Sequence, residues 1–467
     1  MRKLLACIVT LSLSACAGMP ARNVPDGAAN ALPDRFTEVL PSPDATVPVE
    51  WWRAFNDPTL DRLVARGLEY NSDLVIAAER LREARASFHA SRANQLPDVG
   101  VFVEGSRQRT QLADPHNTML LETGRYGTRI NYEVDLWGRL AAQSEAQRQR
   151  YLAQGYTLAS LRLTIAAELV RGYLLTQALI DSRQVLEENV QVLEEQLRLT
   201  QRRYEIGAIS ELDLQRFRSE LEDSRAQLAD IRQQQQATQR ALLLLAGEVP
   251  SSEAVATLAI AGEGVPPTAL PEVPTGLPSS LLDRRPDLRA AEANLAAAGA
   301  DLQAARRAWL PTLALTGSAG EVSPNLSTLF DDGMSVWSIG ANLAQAIFDG
   351  GRRKATIEAS DARRMQLVES YRDTSRRAFG EVLDALDARS ATAEVHRART
   401  AQAESLATAL RLAQRRYDEG YSDYLGVLDA RRGLLQSRLA VADARRAGGV
   451  AYVDLVLALG GGWSPSQ

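Results

Sequence analysis

Cysteine, histidine and lysine are scarce in this 467-residue chain, and each shortage excludes a class of chemistry. Cys7 lies in an apolar leader, so a chain cut at Cys16 keeps one cysteine and forms no internal disulfide. His89, His116 and His396 stand far apart in sequence with no ligand spacing, which indicates no metal centre. There is no Walker loop, and Gly460-Gly461-Gly462 lies at a helix end instead of opening a helix after a strand. A hydrolase or transport ATPase therefore has no footing; the reading is of a non-enzyme without cofactor or metal. Lys3 and Lys354 are the only lysines, a compositional bias that leaves arginine with nearly all the positive charge. A net charge of −5 offers no basic stripe for nucleic acid.

Arg2-Lys3, the apolar run Leu4–Leu13 and the small residues after it read as a secretion signal over residues 1–15. The sequence Leu13-Ser14-Ala15-Cys16 resembles a bacterial lipoprotein box, with Cys16 expected to become a lipidated N-terminus. The alternative is an ordinary cleavage site that abuts a cysteine. Losing Arg2 and Lys3 would take the net charge from −5 to −7. Residues 16–50 carry Pro20, Pro25, Pro33, Pro41, Pro43 and Pro48, the composition of an extended tether.

The rest of the chain repeats itself. Gln201-Arg202-Arg203-Tyr204 returns as Gln414-Arg415-Arg416-Tyr417, Gly207 as Gly420, and Gly138-Arg139 as Gly351-Arg352, each 213 residues on. Asp73-Leu74, Leu81 and Leu96-Pro97 return as Asp287-Leu288, Leu295 and Leu310-Pro311 at an offset of 214. A shared offset across half the chain marks a tandem duplication, over residues 51–246 and 279–463. The stretch between them, 247–278, has Pro250, Pro266, Pro267, Pro271, Pro274 and Pro278 and reads as a surface linker, not core.

Each half reads as helix, strand, strand, long helix, helix. The first has helical segments near 57–95, strands near 98–108 and 125–136, and helices near 139–204 and 210–246. The second has a helix at 279–309, strands at 312–319 and 336–348, and helices at 352–417 and 422–459. The stretch RINYEVDLWGRL, residues 129–140, shows the change of period: Ile130, Tyr132, Val134 and Leu136 alternate with polar residues, and after Trp137 no proline appears before Tyr204. At ~1.5 Å per residue that helix would be roughly 100 Å long. Two seven-residue series, Leu179-Leu186-Leu193 and Val190-Leu197-Tyr204, give it coiled-coil packing. Gly207 suits a C-terminal cap, Ser210 an N-cap and Asp213 a capping-box position, so the chain reverses into a helical hairpin there.

Trp337, Ile339, Ala341 and Leu343 alternate with Ser338, Gly340 and Asn342, apolar outward and polar inward. Four strands per chain are too few for a membrane barrel, so several chains must share one. Segments 106–124 and 320–335, polar and marked by Gly and Pro, would be outward loops. Two other readings stay open: a periplasmic sheet packed on helices, and a lipid-anchored coiled-coil scaffold that never spans the membrane.

The stretches WWRAFNDPTLDRLV (Trp51–Val64), YEVDLWGR (Tyr132–Arg139), RRYEIGAISELDL (Arg202–Leu214), LPSSLLDRRPDLRAAE (Leu277–Glu292), IFDGGRR (Ile347–Arg353) and ALGGGW (Ala458–Trp463) resemble the TolC-like outer membrane factors, in the lipoprotein branch that includes OprM and NodT. The resemblance implies a mainly helical homotrimer, whose shared 12-strand barrel in the outer membrane of a Gram-negative bacterium continues into a periplasmic coiled-coil tunnel. It implies a passive efflux duct in contact with outer membrane lipids, a periplasmic adaptor and an inner-membrane pump of the resistance-nodulation-division type. Drug-like small molecules are the expected cargo, with metal ions or secreted proteins as rivals. Trp137-Gly138-Arg139 and Gly350-Gly351-Arg352 would be the points where strand becomes tunnel wall. The adaptor-facing tip would carry Tyr204, Gly207, Ser210, Asp213, Tyr417, Gly420, Asp423 and Tyr424. Asp423 is the candidate for a constricting acidic ring, or else the N-cap of the returning helix; its hairpin differs from the first, where Asp213 aligns with Gly426.

Overall fold

The computed structural model describes residues 47–111, 118–258, 260, 270–271, 273, 284–331, 333–422 and 424–463. The leader, Cys16 and most of the tether lie outside the described residues. A 3-10 turn at Trp51–Phe55 precedes α1 (Pro58–Tyr70), α2 (Ser72–Ala93), β1 (Asp98–Gln111), β2 (Thr118–Val134), α3 (Arg139–Glu205) and α4 (Glu211–Leu245). A short α5 (Ser252–Thr257) follows, and the second half supplies α6 (Pro286–Arg307), β3 (Thr312–Ser323), β4 (Met334–Ala344), α7 (Arg352–Asp418) and α8 (Leu425–Ala458). Corresponding elements match in length: α2 and α6 have 22 residues each, α3 and α7 have 67.

The strands form one antiparallel sheet in the order β1-β2-β3-β4. Its register places Val99 and Val101 opposite Ile130 and Thr128, then Gly317 and Ala319, then Ile339 and Trp337, a largely apolar band on one face. The other face carries Glu104, Arg125, Arg129, Asn131, Thr316, Ser318 and Asn342. The strands run further than their apolar alternation does. Residues 109–111, 118–124, 320–323 and 334–335, expected only in outward loops, are strand. The polar run 106–111 and the unbroken Met119-Leu120-Leu121 hide the period there, while the ladder and cross-strand pairs such as Arg107 with Glu122 at 2.8 Å hold the backbone extended. β4 stops at Ala344, short of the expected Phe348. Ala344 pairs with Thr312, the first residue of β3, so nothing in this sheet remains for residues 345–348 to pair with.

Beyond the sheet, the main core is a waist where helices from both halves meet. Trp51, Leu60, Val64, Leu169, Val170 and Tyr173 pack there against Tyr452, Val453 and Val456. The Asp57 carboxylate caps α1 through the Thr59 N–H at 2.8 Å and accepts the Tyr173 hydroxyl, and burial pushes that phenol above its ordinary pKa. α3 is long and apolar enough in one window to cross a membrane, but most of that window is buried in this core. The inter-repeat segment is not wholly peripheral as expected: Leu270 and Val273 are buried in the same cluster. The proline-rich sequence reads as loop, yet these two apolar side chains are buried. A second cluster, Leu186, Val190 and Leu193 with Leu221, Leu228 and Leu435, fills the seven-residue seam lower on the hairpins.

Equivalent positions in the repeats tie the upper helices to the lower ones by different chemistry. Asn71 accepts the Asp73 and Leu74 N–H groups at 2.9 and 3.2 Å and donates to the Leu245 carbonyl at 2.8 Å, joining the start of α2 to the end of α4. Arg285 takes its place in the second half. It donates to the Ala458 carbonyl at 3.1 Å, to Asp287 at 2.7 Å and to Glu381 at 2.6 Å. The guanidinium's several donors let one side chain satisfy a helix end and two carboxylates.

Candidate functional site

Both helical hairpins turn on a glycine in the left-handed region, Gly207 at φ +72° and Gly420 at φ +79°. In the first, Gly207 N–H donates to the Tyr204 carbonyl at 2.9 Å and Ala208 N–H to that of Arg203 at 2.8 Å. In the second, Gly420 reaches Tyr417 at 3.0 Å and Tyr421 reaches Arg416 at 2.8 Å. These are twin Schellman ends, the geometry that needs a residue without a Cβ. The returning helices start differently. Ser210 Oγ accepts the Asp213 N–H at 3.2 Å and donates to the Asp213 carboxylate at 2.7 Å, whereas α8 begins after Tyr424 with no side-chain cap. Aspartate is too short for the full reciprocal capping box that glutamate makes, so its carboxylate takes the hydroxyl instead of the Ser210 N–H. Asp423 lies outside the described residues.

The expected tip residues divide into two groups. Gly207, Ser210 and Gly420 are exposed at the end, with Tyr204 beside them. Tyr417 and Tyr424 turn inward and join the two hairpins. Tyr424 stacks on Phe217 at 4.1 Å, and Tyr417 meets it edge-on at 5.0 Å. The Tyr424 hydroxyl donates to Gln196 Oε1 at 2.6 Å, which also accepts from Arg431 at 2.9 Å. Burial pushes the Tyr424 phenol up to about 12. Arg203 donates to the Tyr417 hydroxyl at 2.7 Å, and Arg432 Nε to the buried Glu220 carboxylate at 2.7 Å. Gln196, Phe217, Glu220, Arg431 and Arg432 were not among the residues expected here. Phe217 could have been found from heptad spacing, since it stands three residues after Leu214 in the series that interleaves with Leu214-Leu221-Leu228. The polar partners could not, because their pairing spans more than 200 residues and obeys no repeat. Ile206, Leu212, Tyr421 and Leu425 leave apolar surface exposed around the turns.

The strand-to-helix junctions are built by backbone and aspartate. Gly138 at φ +74° and Gly351 at φ +88° precede the first residues of α3 and α7. Asp135 accepts the Ala141 N–H at 2.7 Å; Asp349 accepts those of Gly351 and Arg353, each at 3.2 Å. The Arg353 guanidinium, 2.8 Å from Asp349, holds that carboxyl below its ordinary pKa. Trp137 Nε1 donates to the Pro311 carbonyl at 2.7 Å and Arg307 to that of Gly138 at 2.7 Å, so the second half braces the junction of the first. Arg139 bonds Glu133 at 2.6 Å. In the second half the tie comes from Arg353, over the Trp309 ring at 5.0 Å, and Arg352 is exposed.

Residues 63–248 and 277–461 match the outer membrane efflux protein family. The chain is 34% identical over 472 residues to the outer membrane protein OprJ of Pseudomonas aeruginosa, covering 99% of this chain and 96% of that one. It is 29% identical over 468 residues to the cation efflux system protein CusC of Escherichia coli, covering 99% of each. The solved CmeC outer membrane channel of Campylobacter jejuni superposes with a TM-score of 0.84 at 26% identity, over 91% of this chain and 90% of that one. An apolar-faced sheet, long helical hairpins and matches over nearly the full length thus converge: the chain belongs to the outer membrane efflux protein family.

Proposed function

We propose that three copies close a 12-strand barrel and continue it as a helical tunnel, forming the passive outer membrane duct of a three-component efflux system. The open sheet carries this reading: β1 and β4 each have one unpaired edge, and the apolar face is exposed. Unpaired edges are not tolerable in lipid unless other chains complete the ring, and an exposed apolar band suits lipid, not water. Cys16 anchors each copy by its acyl chains, and the exposed apolar turns around Gly207 and Gly420 receive a periplasmic adaptor. An inner-membrane pump of the resistance-nodulation-division type supplies the energy, and small toxic molecules are the cargo. A cation cargo is the second reading, because the relative CusC is a cation efflux system protein; the sensitivities of a deletion strain to dyes, antibiotics and metals separate the two. Native mass spectrometry of protein extracted in detergent should show trimers whose subunits begin at Cys16 with added acyl mass. A lipidated monomer or dimer stable in that detergent would sink the shared barrel.

The tip is proposed as the closing end, and the ties between the hairpins there support that reading. Arg432→Ala strands the Glu220 carboxylate, 4% exposed, without its counter-charge, and Tyr424→Phe removes the bond to Gln196. The double variant should conduct several-fold better than wild type in planar bilayers, since two of the ties that hold the hairpins together at that end are then broken. Equal conductance would place the constriction elsewhere.

A further inference from the structure

A long groove runs down one side of the chain, with α6 as its floor and α3 and α7 as its walls. Near the sheet it is a cavity of about 660 Å³ lined by Arg139, Arg150, Asp301 and Arg363. Near the waist it is a cavity of about 560 Å³ lined by Arg171, Arg285, Asp287, Glu381, Asp384 and Asp454. A middle stretch shares Asn294 and Leu367 with the first and Ser160, Thr164 and Asp287 with the second, so the groove is continuous.

Arg139 shows which way the groove faces. Its guanidinium bonds Glu133, which sits opposite Ala314, itself opposite Asn342, on the polar face of the sheet. The groove therefore opens on the polar side, which is the lumen in the proposed duct, and the inference rests on that reading.

Most charges in the groove are already matched. Arg139 pairs with Glu133, Arg150 with Asp301, Arg171 with Asp454, and Arg285 with Asp287 and Glu381. Two groove residues, Arg363 and Asp384, have no ion pair or hydrogen bond to a side chain among the described residues, and both are exposed. The carboxylate nearest in sequence to Arg363, Asp361, is taken by Arg364 at 3.6 Å. Both unmatched charges lie on α7, about 30 Å apart at the helical rise. Threefold assembly turns each into a ring, acidic towards the waist and cationic towards the sheet.

We propose that Arg363 is an anion-binding residue of the duct wall, receiving a carboxylate, phosphate or sulfate group of a solute that has passed the Asp384 level. A guanidinium is a planar fork suited to such oxyanions. Gln143 and Gln366 line the same cavity and offer amide N–H donors, whereas the Thr356 and Ser360 hydroxyls donate to carbonyls one turn back in α7. A confined cleft also focuses the field of its unmatched charge, so the attraction exceeds that of the same arginine on an open surface.

Inorganic triphosphate is the probe, titrated calorimetrically into the full-length protein in non-ionic detergent at low and at physiological salt. Wild type should bind it, and more weakly at the higher salt because screening shortens the reach of the charge. Arg363→Glu should weaken binding at least about tenfold, the effect of losing one good charge-assisted contact. Arg363→Lys should retain part of it, and Asp384→Asn should not reduce it. No binding by wild type, or unchanged binding by Arg363→Glu, would overturn the site. Native masses of the same samples keep the two readings apart: trimers that ignore triphosphate sink the anion site alone, whereas binding by a monomer sinks the duct.

Discussion

Ile339→Arg should abolish most assembly, with the oligomer recovered from membranes as a heat-resistant band on semi-native gels falling to a small fraction of wild type. Ile339 is 83% exposed on the apolar face of β4, opposite Gly317 and beside Trp337. An arginine on the lipid face costs about 2–4 kcal/mol at mid-membrane, and threefold assembly applies that cost in every subunit. The control is the adjacent residue. Ser338 lies on the polar face with its hydroxyl 2.9 Å from that of Ser318, so Ser338→Arg meets water in the lumen and should assemble nearly as wild type. If both variants assemble alike, the sheet is solvated on both faces, as in the periplasmic-sheet and scaffold readings.

Trp51→Ala should be the most damaging single change in the waist, costing about 3–5 kcal/mol. Trp51 is 1% exposed and packs edge-on to Trp52 at 5.8 Å, where the chain from the tether enters the main core. The indole Nε1 is buried without a partner among the described residues. Part of the tryptophan's contribution is thus already offset by an unmade hydrogen bond, and Trp51→Phe should lose far less than Trp51→Ala. Unfolding of such an assembly is governed by rate, so the half-life of thermal inactivation in detergent is the measure. A similar half-life for the alanine variant would mean that the remaining waist contacts hold the core without this anchor.

What was legible in the sequence was what local chemistry dictates. The period-2 alternation of β4 and the seven-residue seam of α3 follow from which side chains one element must bury. Gly207 and Gly420 announced the hairpin ends because a left-handed residue excludes a Cβ, and the constant offset exposed the duplication. The four-strand sheet and long hairpins therefore needed no coordinates, and neither did the family.

Tertiary structure alone decided the rest. Residues 109–111 and 118–124 became strand because a neighbour's backbone was there to pair with, which a pattern without alternation does not announce. Leu270 and Val273 joined the core from a proline-rich stretch because the waist left room for them. Asn71 and Arg285 occupy equivalent positions, yet only the fold brought Glu381 within 2.6 Å of the arginine. Tyr424, expected at the tip, stacks on Phe217 between hairpins for the same reason. Periodicity along one helix reports that a face is buried, but which distant side chain meets it depends on how two hairpins come together. The sequence by itself determined the elements and the duplication, whose causes act within a few turns. The cross-hairpin ties and the groove with its unmatched Arg363 came from packing, because partners more than 200 residues apart are chosen by geometry in space.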